Sequence, residues 1–195
     1  MKKTFEYLRK YINQKGLIYK IKFSPTLNKL EKDYDKLTFF IEDTYDCQID
    51  TEYIIFENTG DKLSLTWNIT ELNKALQQNN KNTAINITVS EIKKVLGEEE
   101  FFKCISNIYN EPIIKNKSFS FSNEPIDIMK LAPTEQYYIL DGKHRVYNAY
   151  HNGQDIEAYI LNSDLLVPFL AGNHQKCIYF FICKLFRFLK RINLF

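Results

Sequence analysis

The sequence lacks the cysteine patterns that mark zinc-binding proteins. Only four of its 195 residues are cysteine, and no two of them are spaced as a CxxC motif. No cluster of histidine and cysteine has the spacing of zinc ligands, which argues against the common structural zinc sites. We therefore expect Cys47, Cys104, Cys177 and Cys183 to be reduced thiols in a cytoplasmic protein.

Long hydrophobic runs are also missing. Residues 1–6 become charged where a secretory signal peptide needs an apolar core. In the C-terminal part, the longest stretches without charge are 165–175 and 177–183, well short of the roughly 20 apolar residues of a spanning helix. The sequence thus predicts neither a signal peptide nor a transmembrane segment.

Acidic residues are absent after Asp164. Residues 1–164 contain 21 basic and 24 acidic residues, a formal charge of −3, whereas the five basic residues of 165–195 give this tail a charge of +5. A charge split of this kind suggests that the tail has a partner of its own.

The tail also has a helical pattern. One face is apolar and the other is basic, with Ile178, Phe181, Ile182, Leu185, Leu189 and Ile192 against Lys184, Arg187, Lys190 and Arg191. Our preferred interpretation is a C-terminal helix whose apolar stripe closes the core and buries Cys177 and Cys183. The alternatives are an amphipathic helix on an anionic membrane surface, or one that binds nucleic acid or an acidic protein.

The composition that remains is that of a folded protein. Hydrophobic residues make up 45% of the chain and aromatic residues 15%, which predicts a packed core rather than disorder. The length predicts one domain with extensions. We divide the chain into an N-terminal extension of unknown role (1–110), a core (111–164) and the basic amphipathic helix (165–195).

Hydrophobic periodicity predicts the elements of the N-terminal extension. Helical spacing is present over residues 2–14, and alternation predicts a strand over 17–23. Two strands, 48–57 and 62–67, form a hairpin across a turn of Asn, Thr, Gly and Asp. A helix capped by Asn68 follows, and Ser90 is expected to cap a further helix that Gly97 interrupts.

The pattern of residues 125–161 predicts two strands, then a helix, then a third strand. Residues 125–131 alternate as in a half-buried strand, and residues 137–140 form a short apolar strand that ends at Asp141 and Gly142. A helix over 143–152 follows, with Val146, Ala149 and Tyr150 inward and Gly153 as a left-handed cap. The pattern predicts an α+β fold, a small mixed β-sheet with flanking helices.

The junction between the second strand and this helix has the chemistry of an anion site. Asp141 is a good N-cap, and Gly142 permits a tight turn and close approach of a ligand. The first turn of a helix carries partial positive charge. Lys143, His144 and Arg145 place three cationic side chains at that end, which is unfavourable without an anion.

These residues carry a family resemblance. The runs from Glu124-Pro-Ile-Asp and from Tyr-Ile-Leu-Asp141-Gly-Lys-His-Arg145, with Gly153 and the strand after it, resemble the ParB/sulfiredoxin superfamily over about residues 111–164. The matching turns hold ATP phosphates in sulfiredoxins and CTP in ParB proteins. The resemblance implies that Gly142, Lys143, His144 and Arg145 bind a nucleoside triphosphate, ATP or CTP, with Mg²⁺ as an optional cofactor.

The chain also departs from known members. Lys143 stands where sulfiredoxins have their cysteine, so we do not expect sulfinic-acid reduction, and no helix-turn-helix pattern follows Leu161, so DNA binding is not evident. Candidate acidic groups for catalysis are Asp141, Asp127 and Glu124. Their alternatives are a pure helix cap for Asp141, a solvent-facing position for Asp127 and loop surface for Glu124.

The leading functional hypothesis is a nucleotide-binding domain that hydrolyses a nucleoside triphosphate or transfers a phosphoryl group. Few catalytic side chains are needed for such chemistry, because positioning and charge neutralisation supply most of the effect. A second hypothesis is a binding module in which nucleotide gates a partner contact without turnover. A third is an interaction protein, of the immunity or phage-defence kind, that keeps the fold and binds no ligand.

Overall fold

The computed structural model describes residues 1–37, 49–56, 58–78, 83–109 and 124–195. Cys47 and residues 111–123 of the predicted core lie outside these ranges. The elements are, in chain order, α1 (Lys2–Gln14), α2 (Leu17–Leu37), β1 (Ile49–Phe56), β2 (Asp61–Asn68), α3 (Ile69–Gln78), β3 (Ile85–Ile87), α4 (Val89–Leu96), α5 (Glu98–Tyr109), β4 (Ile126–Leu131), β5 (Gln136–Asp141), α6 (Lys143–Asn152), β6 (Ile156–Asn162), α7 (Ser163–Leu166), a 3-10 turn (Val167–Phe169) and α8 (Gly172–Arg191).

The chain forms two compact units. Unit 1 contains residues 1–68 and 167–195, and unit 2 contains residues 69–166. This grouping divides the chain at other places than the three segments predicted from sequence, because the tail belongs to the same unit as the N-terminal helices. No helix in the described ranges combines the length and apolar character needed to cross a membrane.

The described residues of unit 1 form the helices α1, α2 and α8, the β1–β2 hairpin and the 3-10 turn. α1 buries Phe5, Leu8 and Ile12, as its periodicity predicts. The predicted strand over 17–23 is wrong, since these residues begin the long helix α2. The local alternation misled the prediction because the core contact of α2 comes later, through Phe23, Leu27 and Leu30 at helical spacing.

The predicted hairpin is confirmed. β1 and β2 pair antiparallel from Ile49 opposite Asn68 to Phe56 opposite Asp61. Gly60 in the turn has φ +69°, a left-handed conformation that glycine adopts without strain. The backbone N–H of Ala171, just before α8, donates to the carbonyl of Thr66 on β2 and ties the tail to the hairpin.

The apolar stripe of the tail is buried, as the preferred interpretation predicts. All six of its residues, Ile178, Phe181, Ile182, Leu185, Leu189 and Ile192, are buried in unit 1. The expectation of buried thiols is wrong, because Cys177 is exposed and Cys183 is half-buried. At 100° per residue both cysteines fall outside the stripe.

Unit 2 is built on a four-stranded mixed sheet with the order β3-β6-β4-β5. β4 is antiparallel to β5 and parallel to β6, and β3 is antiparallel to β6. Isoleucines of three strands pack against α4, α5 and α6 in one core, formed by Ile87, Ile92, Phe101, Ile105, Ile126, Ile128, Ile139, Val146 and Ala158. The predicted α+β class is confirmed.

Two local predictions in unit 2 need correction. Thr88, not Ser90, is the N-cap of α4, and it forms a capping box with Glu91. α6 has the predicted bounds and Gly153 is left-handed at φ +64°, but Tyr150 is 40% exposed rather than inward. Its ring meets the buried ring of Phe101 and the exposed ring of Phe102 edge-on, with centroids 5.6 and 6.3 Å apart.

Candidate functional site

The candidate site lies at one edge of the unit 2 sheet, where α6 begins. β5 ends at Asp141, which pairs with Asp127 near the start of β4. β6 begins beside the same end of β4, because Ile126 pairs with Ala158. α6 therefore joins two strands that flank β4 and contacts β4 as well as β6. Its first turn lies next to the start of β4.

Both the backbone conformation and the packing at position 142 require a glycine. Its φ is +89°, and a Cβ added there would lie 2.4 Å from Cγ2 of Ile126. A side chain is therefore excluded on two independent grounds. Gly142 is also the N-cap residue, so the prediction that Asp141 is the N-cap is wrong.

Asp141 is instead the last residue of β5, and its carboxylate stabilises the turn by accepting hydrogen bonds. Its Oδ1 accepts a hydrogen bond from the backbone N–H of Gly142 at 2.7 Å. Its Oδ2 accepts from Nη2 of Arg145 at 3.0 Å and from the side-chain amide of Asn73 on α3 at 3.2 Å. The carboxylate cannot reach the N–H groups of the second or third helical residue while it makes these contacts.

Arg145 ties the start of α6 to the start of β4. Nη1 donates to the carbonyls of Glu124 and Pro125, at 2.5 and 2.9 Å, and Nη2 donates to Asp141. Within the described residues these contacts use three of the five guanidinium N–H groups. The guanidinium thus positions the turn through contacts with protein groups.

Asp127 is buried beneath the turn. It is 2% exposed, and its Oδ2 contacts no hydrogen-bond partner in the described part of the chain. Burial and the charge of Asp141 raise its pKa to about 7, against the opposing effect of Arg145. The solvent-facing alternative is wrong, because Ile126, Asp127, Ile128 and Met129 are all buried and β4 is covered on both faces.

The other predicted residues are nearer to solvent. Lys143 and His144 are half-buried in the first turn of α6, each with interactions of its own. The Glu124 side chain is exposed, and its main-chain carbonyl accepts a hydrogen bond from Arg145. The structure thus brings together Asp127, Asp141 and Arg145 around Gly142 and leaves the carboxylate of Glu124 at the surface.

A metal site is not built into this cluster. Among the described residues, no group of three or more His, Cys, Asp and Glu side chains is placed to hold a metal ion. Both oxygens of Asp141 already accept hydrogen bonds, and Oδ2 of Asp127 is shielded.

Asn73 and Ile126 contribute to the site without a signal in the sequence. Asn73 is 68 positions from Asp141 along the chain, so no local motif connects the two. Ile126 lies in the Pro-Ile-Asp run, where it reads as an ordinary strand residue. Its contact with Gly142 depends on the pairing of β4 with β5, which only the fold shows.

Comparison with known proteins adds no family to this description. Neither the family models nor the curated proteins nor the solved structures yielded a match to the chain. The resemblance of residues 124–160 to the ParB/sulfiredoxin superfamily stays a prediction from sequence.

Proposed function

We propose that unit 2 binds the phosphate groups of a nucleoside triphosphate, ATP or CTP, at the first turn of α6. The observation that carries this proposal is the packing of Gly142 against Ile126. A left-handed glycine whose Cβ position is taken by Ile126 lets β5 pass directly into α6 in a tight turn against β4. The start of a helix set in such a turn after a strand is the kind of end that attracts phosphate groups.

The charges around the turn support an anionic ligand. Lys143 and His144 lie in the first turn, where the helix dipole adds positive charge. Arg145 keeps two N–H groups beyond its contacts within the described residues, and paired N–H groups of arginine suit phosphate oxygens. Asp141 offsets one of these charges, so a bound phosphate would meet a net positive site.

Binding without turnover is the version of this function that the contacts favour. Asp141 is engaged by Arg145, Asn73 and the N–H of Gly142, and Asp127 is shielded from solvent. Neither carboxylate has an open oxygen with which to accept a proton from a substrate in this state. Hydrolysis or phosphoryl transfer would require Asp127 to become accessible when nucleotide binds.

The experiment is calorimetric titration of the full chain with ATP, CTP, ADP and GTP, with and without Mg²⁺. Arg145 is a poor test residue because its substitution would also disturb the turn. Lys143→Gln removes one charge from the turn, and Lys94→Gln removes an exposed charge from α4 in the same unit. We expect Lys143→Gln to weaken binding about tenfold, as the loss of one charge-assisted contact would, and Lys94→Gln to leave it unchanged.

Two outcomes would contradict the proposal. Folded wild-type protein that binds none of these nucleotides would support the interaction-protein hypothesis instead. Equal weakening by Lys143→Gln and Lys94→Gln would mean that nucleotides bind by general charge and not at the turn. Release of inorganic phosphate over many turnovers would show that the domain is an enzyme, and then Asp127→Asn should abolish the release.

A further inference from the structure

Unit 1 contains two segments that have basic residues but no acidic residues. Residues 7–30 contain no Asp or Glu, and their basic residues are Arg9, Lys10, Lys15, Lys20, Lys22 and Lys29. Residues 165–195 also contain no Asp or Glu, and they carry five basic residues. In sequence the two segments are far apart, so their charges add only if the fold brings them together.

The fold does bring them together. The hydroxyls of Tyr11 on α1 and Tyr19 on α2 both donate to the carbonyl of Ile192, at 3.2 and 3.0 Å. The ring of Phe23 on α2 meets the ring of Phe188 on α8 edge-on, with centroids 6.2 Å apart. The end of α1, the start of α2 and the end of α8 therefore form one end of unit 1. We call residues 10–22 and 190–195 the basic tip.

Large aliphatic side chains are exposed at the basic tip. Leu17, Ile18 and Ile21 are 72%, 84% and 68% exposed. At 100° per residue they share one face of α2, with Lys20 on one side of that face and Lys22 on the other. The opposite face of the helix buries Phe23, Leu27 and Leu30, so the core formed by the described residues of unit 1 does not include Leu17, Ile18 and Ile21. Among the described residues, Lys15, Lys20 and Lys22 form no salt bridge.

We propose that the basic tip docks on the surface of an anionic lipid bilayer. Leu17, Ile18 and Ile21 would enter the boundary between headgroups and acyl chains, and the surrounding lysines would contact the headgroups. An apolar helical face bordered by lysine is the pattern of surfaces that lie in this interface. Each lysine near an anionic surface adds attraction, and this attraction is screened by salt.

The chemistry of the basic tip fits a bilayer better than its rivals. Nucleic-acid surfaces rely on arginine and on aromatic rings that stack with bases, whereas the most exposed apolar residues of the basic tip, Leu17, Ile18 and Ile21, are aliphatic. The exposed ring of Phe195 is already in contact with the ring of Phe186 and with Lys190. A second copy of the chain would bring lysines against lysines across a symmetric interface, which is repulsive. The tail helix α8 contributes charge to the tip but not an apolar face, because its stripe is buried.

The test is co-sedimentation of the full chain with vesicles of phosphatidylcholine alone and of phosphatidylcholine with an equal part of phosphatidylglycerol. The apolar variant is Leu17→Ser/Ile18→Ser/Ile21→Ser. Its matched control replaces three exposed aliphatic residues of unit 2, as Ile85→Ser/Ile160→Ser/Leu165→Ser. The charge variant is Lys20→Gln/Lys22→Gln, and its control is Lys2→Gln/Lys3→Gln at the other end of α1. Circular dichroism and thermal melting confirm that each variant is folded.

We expect wild type to bind only the anionic vesicles, less so as salt is added. The apolar variant should weaken this binding by roughly tenfold or more and the charge variant by several-fold, with both controls near wild type. Absence of binding to anionic vesicles, or equal binding to neutral ones, would overturn the proposal. So would binding that the apolar variant leaves intact. Self-association lost in the apolar variant would identify a second copy as the occupant, and tight binding of an oligonucleotide unaffected by that variant would identify nucleic acid.

Discussion

Asp127 and Asp141 lie opposite each other on β4 and β5, at the sheet edge where α6 begins. Side chains at such positions have Cβ atoms about 4.5–5.5 Å apart, and like charges there destabilise the strand pair. Arg145 contacts Asp141 directly, whereas burial and the charge of Asp141 hold the pKa of Asp127 at about 7. Below that pH the pair therefore carries an ion-paired carboxylate and a neutral carboxyl group.

This pairing predicts that Asp127→Asn becomes more stabilising as pH rises. Folded Asp127 keeps its proton up to about pH 7, whereas the unfolded chain releases it near the ordinary value of 3.8. The folded state binds more protons in this window, so the wild type loses stability from about pH 4 to pH 7. Asparagine has no such proton, and its advantage over the wild type should grow by about 4 kcal/mol by pH 7, since the shift is about three pKa units and each corresponds to about 1.4 kcal/mol.

Urea unfolding at pH 4 and pH 8 measures this difference directly. Asp155→Asn, at an exposed position in the same unit, is the control and should show no comparable growth with pH. If the difference between Asp127→Asn and wild type is the same at both pH values, Asp127 is ionised in the folded protein at pH 4 and its buried carboxylate must have a partner.

The two glycines that flank α6 predict a graded response to alanine. Gly142 and Gly153 both have positive φ, but only at Gly142 would a Cβ collide, with Ile126 at 2.4 Å. Gly153→Ala should cost about 1 kcal/mol for the left-handed backbone. Gly142→Ala should cost about 3 kcal/mol because overpacking adds to that strain. Chemical unfolding measures both values, and equal losses would show that Ile126 moves aside easily.

How far the sequence predicted the fold depended on whether the signal was local. α6, its left-handed cap Gly153 and the β1–β2 hairpin were predicted well because caps and turn residues act over a few positions. The strand over 17–23 was wrong because its alternation is real but its partners are α1 and α8, which no local pattern reveals. The grouping of 165–195 with the N-terminal helices escaped prediction for the same reason.

The candidate site was predicted in composition but not in arrangement. The residues around Gly142 were identified from one short run, and the structure does place Asp127, Asp141 and Arg145 together. Other contacts depend on how distant segments of the chain come together. These are the hydrogen bonds of Asp141 with Asn73 and of Arg145 with the main-chain carbonyls before β4. Because Arg145 has a structural role through these contacts, a substitution of Arg145 would not test ligand binding alone.

That structural role predicts that lysine cannot replace Arg145. The planar guanidinium reaches two main-chain carbonyls and Asp141 at once, and a single ammonium group cannot match this geometry. Arg145→Lys should lower the free energy of unfolding by about 2 kcal/mol through lost and unsatisfied hydrogen bonds. Arg187→Lys on the exposed side of α8 is the control and should be near neutral. Full stability of Arg145→Lys would mean that the carbonyl contacts contribute little.

At the start of α4, the observed N-cap is Thr88, whereas the sequence predicted Ser90. Oγ1 of Thr88 accepts from the N–H of Glu91 at 3.1 Å, and the Glu91 carboxylate accepts from the N–H of Thr88 at 2.8 Å. Thr88→Ala removes the side-chain acceptor and should lower the free energy of unfolding by about 1 kcal/mol. Ser90→Ala should be neutral or slightly stabilising, because residue 90 lies inside the helix and alanine has the higher helix propensity. Urea unfolding of the two variants decides between them, since a larger loss in Ser90→Ala would move the start of α4 to the position that the sequence predicted.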